Sequence, residues 1–251
     1  MRPNGILLVA LTFAATPCAF AQALANTCHA SSSFDLTIAP DALLFDRAGP
    51  APRRIRLQAG RLDVDGAVVR LNTEDHDRLA LFEEQVRALV PRARVVADNG
   101  VDLAIKAVRA EVASLGASAD TQANLDSKLA TRAVELKQHI ATSTSTRDWQ
   151  GNAFDQYADD IVADIAPLLA TDLAQQAVSA ALNGDLDAAA SLRDSAADLT
   201  GDLRPRLERR TQALRPQIQA LCPSIKRLYE LQRGVRDANA RPLELLDIEK
   251  K

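Results

Sequence analysis

The side chains of this 251-residue chain best suited to chemistry are three histidines, three cysteines and a dense set of aspartates. His76 lies in Glu74-Asp75-His76-Asp77, where an imidazole among carboxylates could hold a metal. Neighbours in a first helical turn point in different directions, however, and no second histidine follows at the i+4 position. The run reads instead as an acidic helix start. His29 follows Cys28, but zinc sites need three or four converging ligands, and no CxxC or HxxxH motif supplies them. His139 falls on a polar helix shoulder. No metal and no cofactor are expected.

Nucleophilic catalysis has no better footing. The chain contains no GxSxG elbow, no SxxK and no glycine-rich strand-to-helix loop for phosphate. Paired carboxylates could hide among the aspartates, because their geometry is tertiary, but solvated helix faces account for them more simply. Trp149, Phe154 and Tyr157 fall close together and read as a core plug at a helix turn. Without interleaved basic residues they make a poor nucleic-acid stacking surface. The expectation is no catalytic residue, no enzyme and no nucleic-acid partner.

The cysteines carry the firmest chemistry. Residues 1–25 have the grammar of a secretory signal peptide: Arg2, an apolar run from Ile6 to Ala15, then Ala19-Phe20-Ala21 and Ala23-Leu24-Ala25 as cut sites. Pro17 before Cys18 and Thr27 before Cys28 argue against lipidation. Cleavage removes Cys18, so Cys28 and Cys222 remain, and an oxidising compartment favours a bridge between them over two free buried thiols. Such a bond requires the start of the mature chain to lie beside its last long helix.

Residues 26–71 position the first of these cysteines in strand grammar. Phe34-Asp35-Leu36-Thr37-Ile38 and Ile55-Arg56-Leu57-Gln58 alternate apolar and polar, and Asp65-Gly66 between Arg61–Val64 and Val68–Leu71 predicts a tight hairpin. A small antiparallel sheet of three to five strands follows from this. After Leu71 the period becomes helical. Asn72 or Thr73 caps a helix bearing Leu79, Phe82, Val86 and Leu89, which Pro91 is expected to interrupt. Val101 to Leu115 and Leu125 to Ile140 give two further stripes, with Gly116–Asp120 as a turn and Thr142–Thr146 as a flexible connection. A helix over 153–182 has Phe154, Ile161, Ile165 and Leu168 on its buried side, is kinked at Pro167 and stops at Asn183-Gly184. Asp185 caps an alanine-rich helix reaching about Thr200. Leu207, Leu214, Leu221, Leu228 and Val235 recur every seven residues, a coiled-coil-like seam that Pro216 and Pro223 break into abutting helices. The expected class is α+β: a signal peptide at 1–25, the sheet at 26–71, a mainly helical bundle at 72–236 packed with it as one domain, and a frayed polar tail at 237–251.

Charge is unevenly spread. Asp148 to Asp202 holds eleven aspartates against Arg193, while Leu203 to Arg241 holds ten basic residues against Glu208, Glu230 and Asp237. The simpler reading packs the two segments antiparallel. The functional one makes Arg204, Arg206, Arg209, Arg210, Arg215, Lys226, Arg227 and Arg233 a basic face for phosphate-bearing lipid or an acidic partner.

Taken in order, the leader, Cys28, the strands from Leu62–Val64 into Val69–Asn72, an acidic-basic helix and the late helical Cys222 resemble the YggN-like family of uncharacterised Gram-negative proteins. The resemblance implies periplasmic residence, no established activity and no catalytic residues to carry over. Pro216 and Pro223 look like a departure from the family's uninterrupted last helix. The expected function is a non-enzymatic envelope protein that binds or supports another component through its helical surface. The alternative is a carrier or sensor of an apolar ligand such as a lipid, and the oligomeric state stays open.

Overall fold

The structure, a computed structural model, describes residues 26–149, 153–195 and 212–248. The expected signal peptide, the expected end of the alanine-rich helix and Leu207 lie outside these residues. Strands β1 (Ala30–Ser31), β2 (Asp35–Ile38), β3 (Leu43–Asp46), β4 (Arg54–Gln58), β5 (Arg61–Val64) and β6 (Ala67–Val69) come first. Helices α1 (Thr73–Ser114), α2 (Ala119–Thr142), α3 (Ala153–Leu182), α4 (186–195), α5 (Arg215–Gln219) and α6 (Cys222–Gln232) follow, and β7 (Asp247–Ile248) is last. The α+β expectation holds.

β2 to β6 form one antiparallel meander in sequence order. The register aligns Ile38, Leu43, Leu57, Leu62 and Val69 in one row and Leu36, Phe45, Ile55 and Val64 in the next. Because side chains alternate, these rows share the inner face, while Thr37, Leu44, Arg56, Asp63 and Val68 line the outer. Asp65 and Gly66 take the positive φ angles of the expected hairpin turn, 50° and 86°. At the preceding turn Gly60 sits so close to α1 that a Cβ there would lie 2.5 Å from the His76 carbonyl oxygen. His76 is therefore part of the seat of α1 on the sheet.

The inner face meets Leu79, Phe82 and Val86 of α1, Leu228 of α6, and Val235, Leu243 and Leu245 from the end of the chain, in one buried cluster. Cys28 and Cys222 are joined across 194 residues, with Cα atoms 5.1 Å apart. The covalent bond and the apolar core thus fasten the same two ends together. We call this assembly the head.

Asn72 caps α1 as expected, its side-chain oxygen accepting the Asp75 N–H at 2.7 Å. The helix does not stop at Pro91. It continues to Ser114, 42 residues or about 63 Å at 1.5 Å per residue. Pro91 is exposed and removes one N–H from the ladder, while buried Val86 and Val96 anchor the helix on both sides. Its far half leaves the head and joins α2 and α3 in an arm, through a core of Val108, Val112, Leu125, Leu129, Ile165 and Leu169. The turn between α1 and α2 forms at Gly116, φ 72°, with Ser118 as the cap of α2.

Two expectations are corrected here. Thr142–Thr146 is not a loose connection, because Ser and Thr side chains supply the partners that a sheet edge needs. Residues 143–149 lie against edge strand β2: the Thr144 carbonyl accepts the Ile38 N–H (2.9 Å) and Thr146 Oγ1 accepts the Leu36 N–H (2.9 Å). Arg147 also pairs with Asp35 at 2.8 Å. The segment so covers an edge that would otherwise be open to another strand. Nor are residues 237–248 of the expected tail frayed. Asp237 accepts the N–H groups of Asn239 and Arg241, Gln232 accepts those of Leu245 and Leu246, and β7 pairs with β1. Local side-chain bonds hold the polar stretch so that Leu243 and Leu245 can enter the head core.

The prolines act as expected on the last seam. Pro216 and Pro223 fall in the first turns of two abutting helices, where the missing N–H costs no ladder bond. The seam serves two cores: Ile218 and Leu221 pack against Val96, and Leu228 and Val235 join the head.

Candidate interaction surface on the helical arm

From Ile165 onward α3 is apolar nearly all round, so it has more apolar surface than its neighbours cover. Ile165, Leu169 and Leu173 are buried against the arm, whereas Ile161 and Leu168 are only half-buried, so the buried stripe is rotated from the expected one. From Ile165 to Leu182 the one charged residue is Asp172. That carboxylate faces inward, 7% exposed, and accepts the Ser118 N–H (2.8 Å), the Ser118 hydroxyl (2.6 Å) and the Gln176 amide (2.9 Å). Burial acts to raise its pKa, but these bonds and one from Thr121 outweigh it and hold the carboxyl below the ordinary aspartate range. Asp172 thereby fastens α3 to the start of α2.

A pKa lowered by folding stabilises the fold above the unfolded value, and that contribution disappears as pH falls through the folded one. Asp172→Ala, which leaves its donors unpaired, is expected to cost about 1 to 2 kcal/mol at neutral pH. The gap between the wild-type and variant melting temperatures should shrink below about pH 4, as Asp172 protonates. An equal gap from pH 7 to pH 3 would contradict this role.

With Asp172 turned inward, the outer side of α3 carries no charge from Ile165 to Leu182. Ala163, Pro167, Thr171, Ala174, Gln175, Val178, Ala181 and Leu182 are all exposed. An open groove of about 580 Å³ runs along Ala170, Thr171, Ala174, Gln175 and Val178. At its far end α3 stops at Gly184, φ 84°, and Asp185 caps α4 through the Ala188 N–H at 3.0 Å. That corner leaves Val178 60%, Leu182 84% and Leu186 70% exposed. Val68, Val95 and Val134, the other exposed large hydrophobics among the described residues, are scattered over β6, α1 and α2. Isolated exposed valines are ordinary, whereas a contiguous apolar patch marks a contact surface.

The expected basic face is less clearly assembled. Arg204, Arg206, Arg209 and Arg210 lie outside the described residues. Arg215, Lys226, Arg227 and Arg233 are exposed along α5 and α6, and Arg233 is offset by Glu230 at 3.1 Å. The acidic and basic segments do not pair among the described residues; Asp164 meets Arg132 of α2 at 2.9 Å, and Asp194 meets Arg193. On α1, Arg78 donates to the carbonyls of Glu230 and Arg233, and Arg92 to that of Ala220. These two cations meet the negative ends of α6 and α5.

The remaining candidates sit in the head and beside β2. His29 adjoins the disulfide with φ 52°, and His76 Nδ1 lies 3.5 Å from Asp77. Among the described residues no three His, Cys, Asp or Glu side chains are grouped to hold a metal ion. His139 stacks edge-on against Trp149, centroids 4.7 Å apart, and Asp148 accepts the N–H groups of Thr144 and Ser145. The hydrogen bond from Ser145, partly opposed by burial, holds the Asp148 carboxyl below its usual range. Trp149 packs with Val101, Leu136 and Ile140 as a plug. The side chains of Phe154 and Tyr157 fall outside the described set. Among the described residues no helix is long and apolar enough to cross a membrane.

Neither the curated proteins nor the solved structures contain a match to this chain. A family model described as a protein of unknown function, DUF2884, matches residues 28–243, from the first cysteine of the bridge into the strand-like end of the head. The chain belongs to this DUF2884 family of uncharacterised proteins.

Proposed function

We propose that this is an exported, non-enzymatic periplasmic protein of the YggN-like kind. Its disulfide-fastened head carries a helical arm, and the arm's uncharged side is where another envelope component docks. The observation that carries the reading is the exposed apolar pair Val178 and Leu182 at the end of an α3 side without charge, with Leu186 of α4 exposed at the same corner. Export is supported by the Cys28–Cys222 bond and by the leader-like run at 1–25. An intact mass short of 21 or 25 residues for chain recovered from the periplasm would agree with it, and a retained leader would not.

A carrier of lipid comes second, because the described groove is open along one helix, whereas a carried lipid needs an enclosing apolar cavity. The docking reading is tested by the reactivity of a thiol placed at Val178. The thiol should be shielded in the native compartment and free in dilute purified protein.

A further inference from the structure

We propose that the uncharged side of α3 is a self-association surface, on which a second copy of this chain packs with α3 antiparallel to α3 about a two-fold axis at Ala174. This rests on reading that side as a contact surface and names its occupant. An isologous interface must be complementary to itself. A side without charge sets no like charges against each other across such an axis, and in this chain 63 of 251 residues are charged. The outer side of α3 meets the condition in charge and in shape. Along it small residues, Ala163, Ala170 and Ala181, alternate with larger ones, Pro167, Val178 and Leu182. Antiparallel pairing about Ala174 sets Val178 of each copy against Ala170 of the other, and Pro167 against Ala181. Projections meet hollows, and Ala174 lets the helices approach closely at the axis.

Eighteen residues give about 27 Å of helix contact. This is near the lower limit for a stable interface, roughly 1,200 Å² in total. A dissociation constant on the order of tens of micromolar is therefore expected. The carboxylates of Asp185 and Asp187, on either side of Leu186, disfavour an anionic lipid surface as the occupant.

Sedimentation equilibrium of the purified chain, its native bridge intact, should show a monomer–dimer equilibrium from about 5 to 300 µM. Its constant should change less than three-fold between 0.05 and 0.5 M NaCl, since no charge lies in the contact. Val178→Glu with Leu182→Glu should weaken the dimer at least ten-fold, while Val134→Glu on α2 should not. Ala174→Cys should form a covalent dimer on mild oxidation, and Val134→Cys should not.

A chain that stays monomeric at 300 µM, with no Ala174→Cys dimer, overturns the proposal. So does a dimer that dissociates with salt or ignores the α3 substitutions. Binding of that monomer to vesicles of phosphatidylglycerol and phosphatidylethanolamine, abolished by the same double substitution, would assign the face to lipid instead. In that outcome the docking reading survives and the second copy does not.

Discussion

Reduction of the Cys28–Cys222 bond, or Cys222→Ser, is expected to lower stability by about 3 kcal/mol, or roughly 6 to 12 °C in melting temperature. Closing a loop of 194 residues removes much freedom from the unfolded chain, for which chain-entropy theory gives about 5 kcal/mol. Measured gains are usually about 2 to 4 kcal/mol, because unfolded chains retain structure. The loss should concentrate where the bond acts. Cys28 stands just before β1, and Cys222 opens α6, whose Leu228 enters the head core. Thermal melts with and without reductant, with thiols counted on denatured protein, provide the measurement. An unchanged melting temperature on verified reduction would remove the structural role of the bridge.

Phe82→Ala should cost as much or more, about 3 to 5 kcal/mol. Phe82 is 1% exposed and lies where α1 crosses the inner face of the sheet, its ring 6.3 Å from that of Phe45. Truncation leaves a cavity that Leu57, Leu62 and Leu79, each fully buried, cannot close without moving the helix off the strands. Val178→Ala, on the outer side of the arm, should change stability by less than about 0.5 kcal/mol in the dilute chain. Urea unfolding of the two variants compares core with surface directly. A cost below about 1 kcal/mol for Phe82→Ala would mean that α1 and the sheet do not share this core.

The head shows which features a sequence makes legible. Asp65-Gly66 fixed one hairpin because few residues take two positive φ angles in succession, and alternation then set which side of each strand faces inward. Leu125, Leu129, Leu136 and Ile140 fell on the buried side of α2 because that helix carries polar residues on the other. The disulfide followed from arithmetic, two cysteines remaining once a leader is removed. The misread segments have partners far away in sequence. Ser143 to Thr146 look flexible in isolation and become ordered only against β2, more than a hundred residues earlier. The stretch after Gly234 looks polar until Asp237 and Gln232 gather its N–H groups and leave Leu243 and Leu245 free to pack.

The arm's outer side was the least legible feature. Periodicity finds the buried stripe of an amphipathic helix, and α3 is scarcely amphipathic, so an apolar residue there could equally be core or surface. The available signal was the lack of charge from Ile165 to Leu182 apart from Asp172, in a chain that is one quarter charged. Reading it needed the knowledge that Asp172 turns inward to Ser118. Of the expected basic face, Arg215, Lys226, Arg227 and Arg233 are exposed. Arg78 and Arg92, outside that face, are used within the fold on helix ends, a role that only the tertiary contacts disclose.

The most direct test of the account is the accessibility of a single thiol at Val178→Cys, with the native bridge intact. Labelling with a bulky maleimide should be rapid in dilute purified protein, and at least five-fold slower in intact periplasm at native abundance. A thiol at Val134→Cys should react at similar rates in both settings, as a control for crowding and reagent entry. Equal labelling of Val178→Cys in the periplasm and in dilute solution would show that nothing covers the uncharged side of the arm, and would contradict its role as a docking surface.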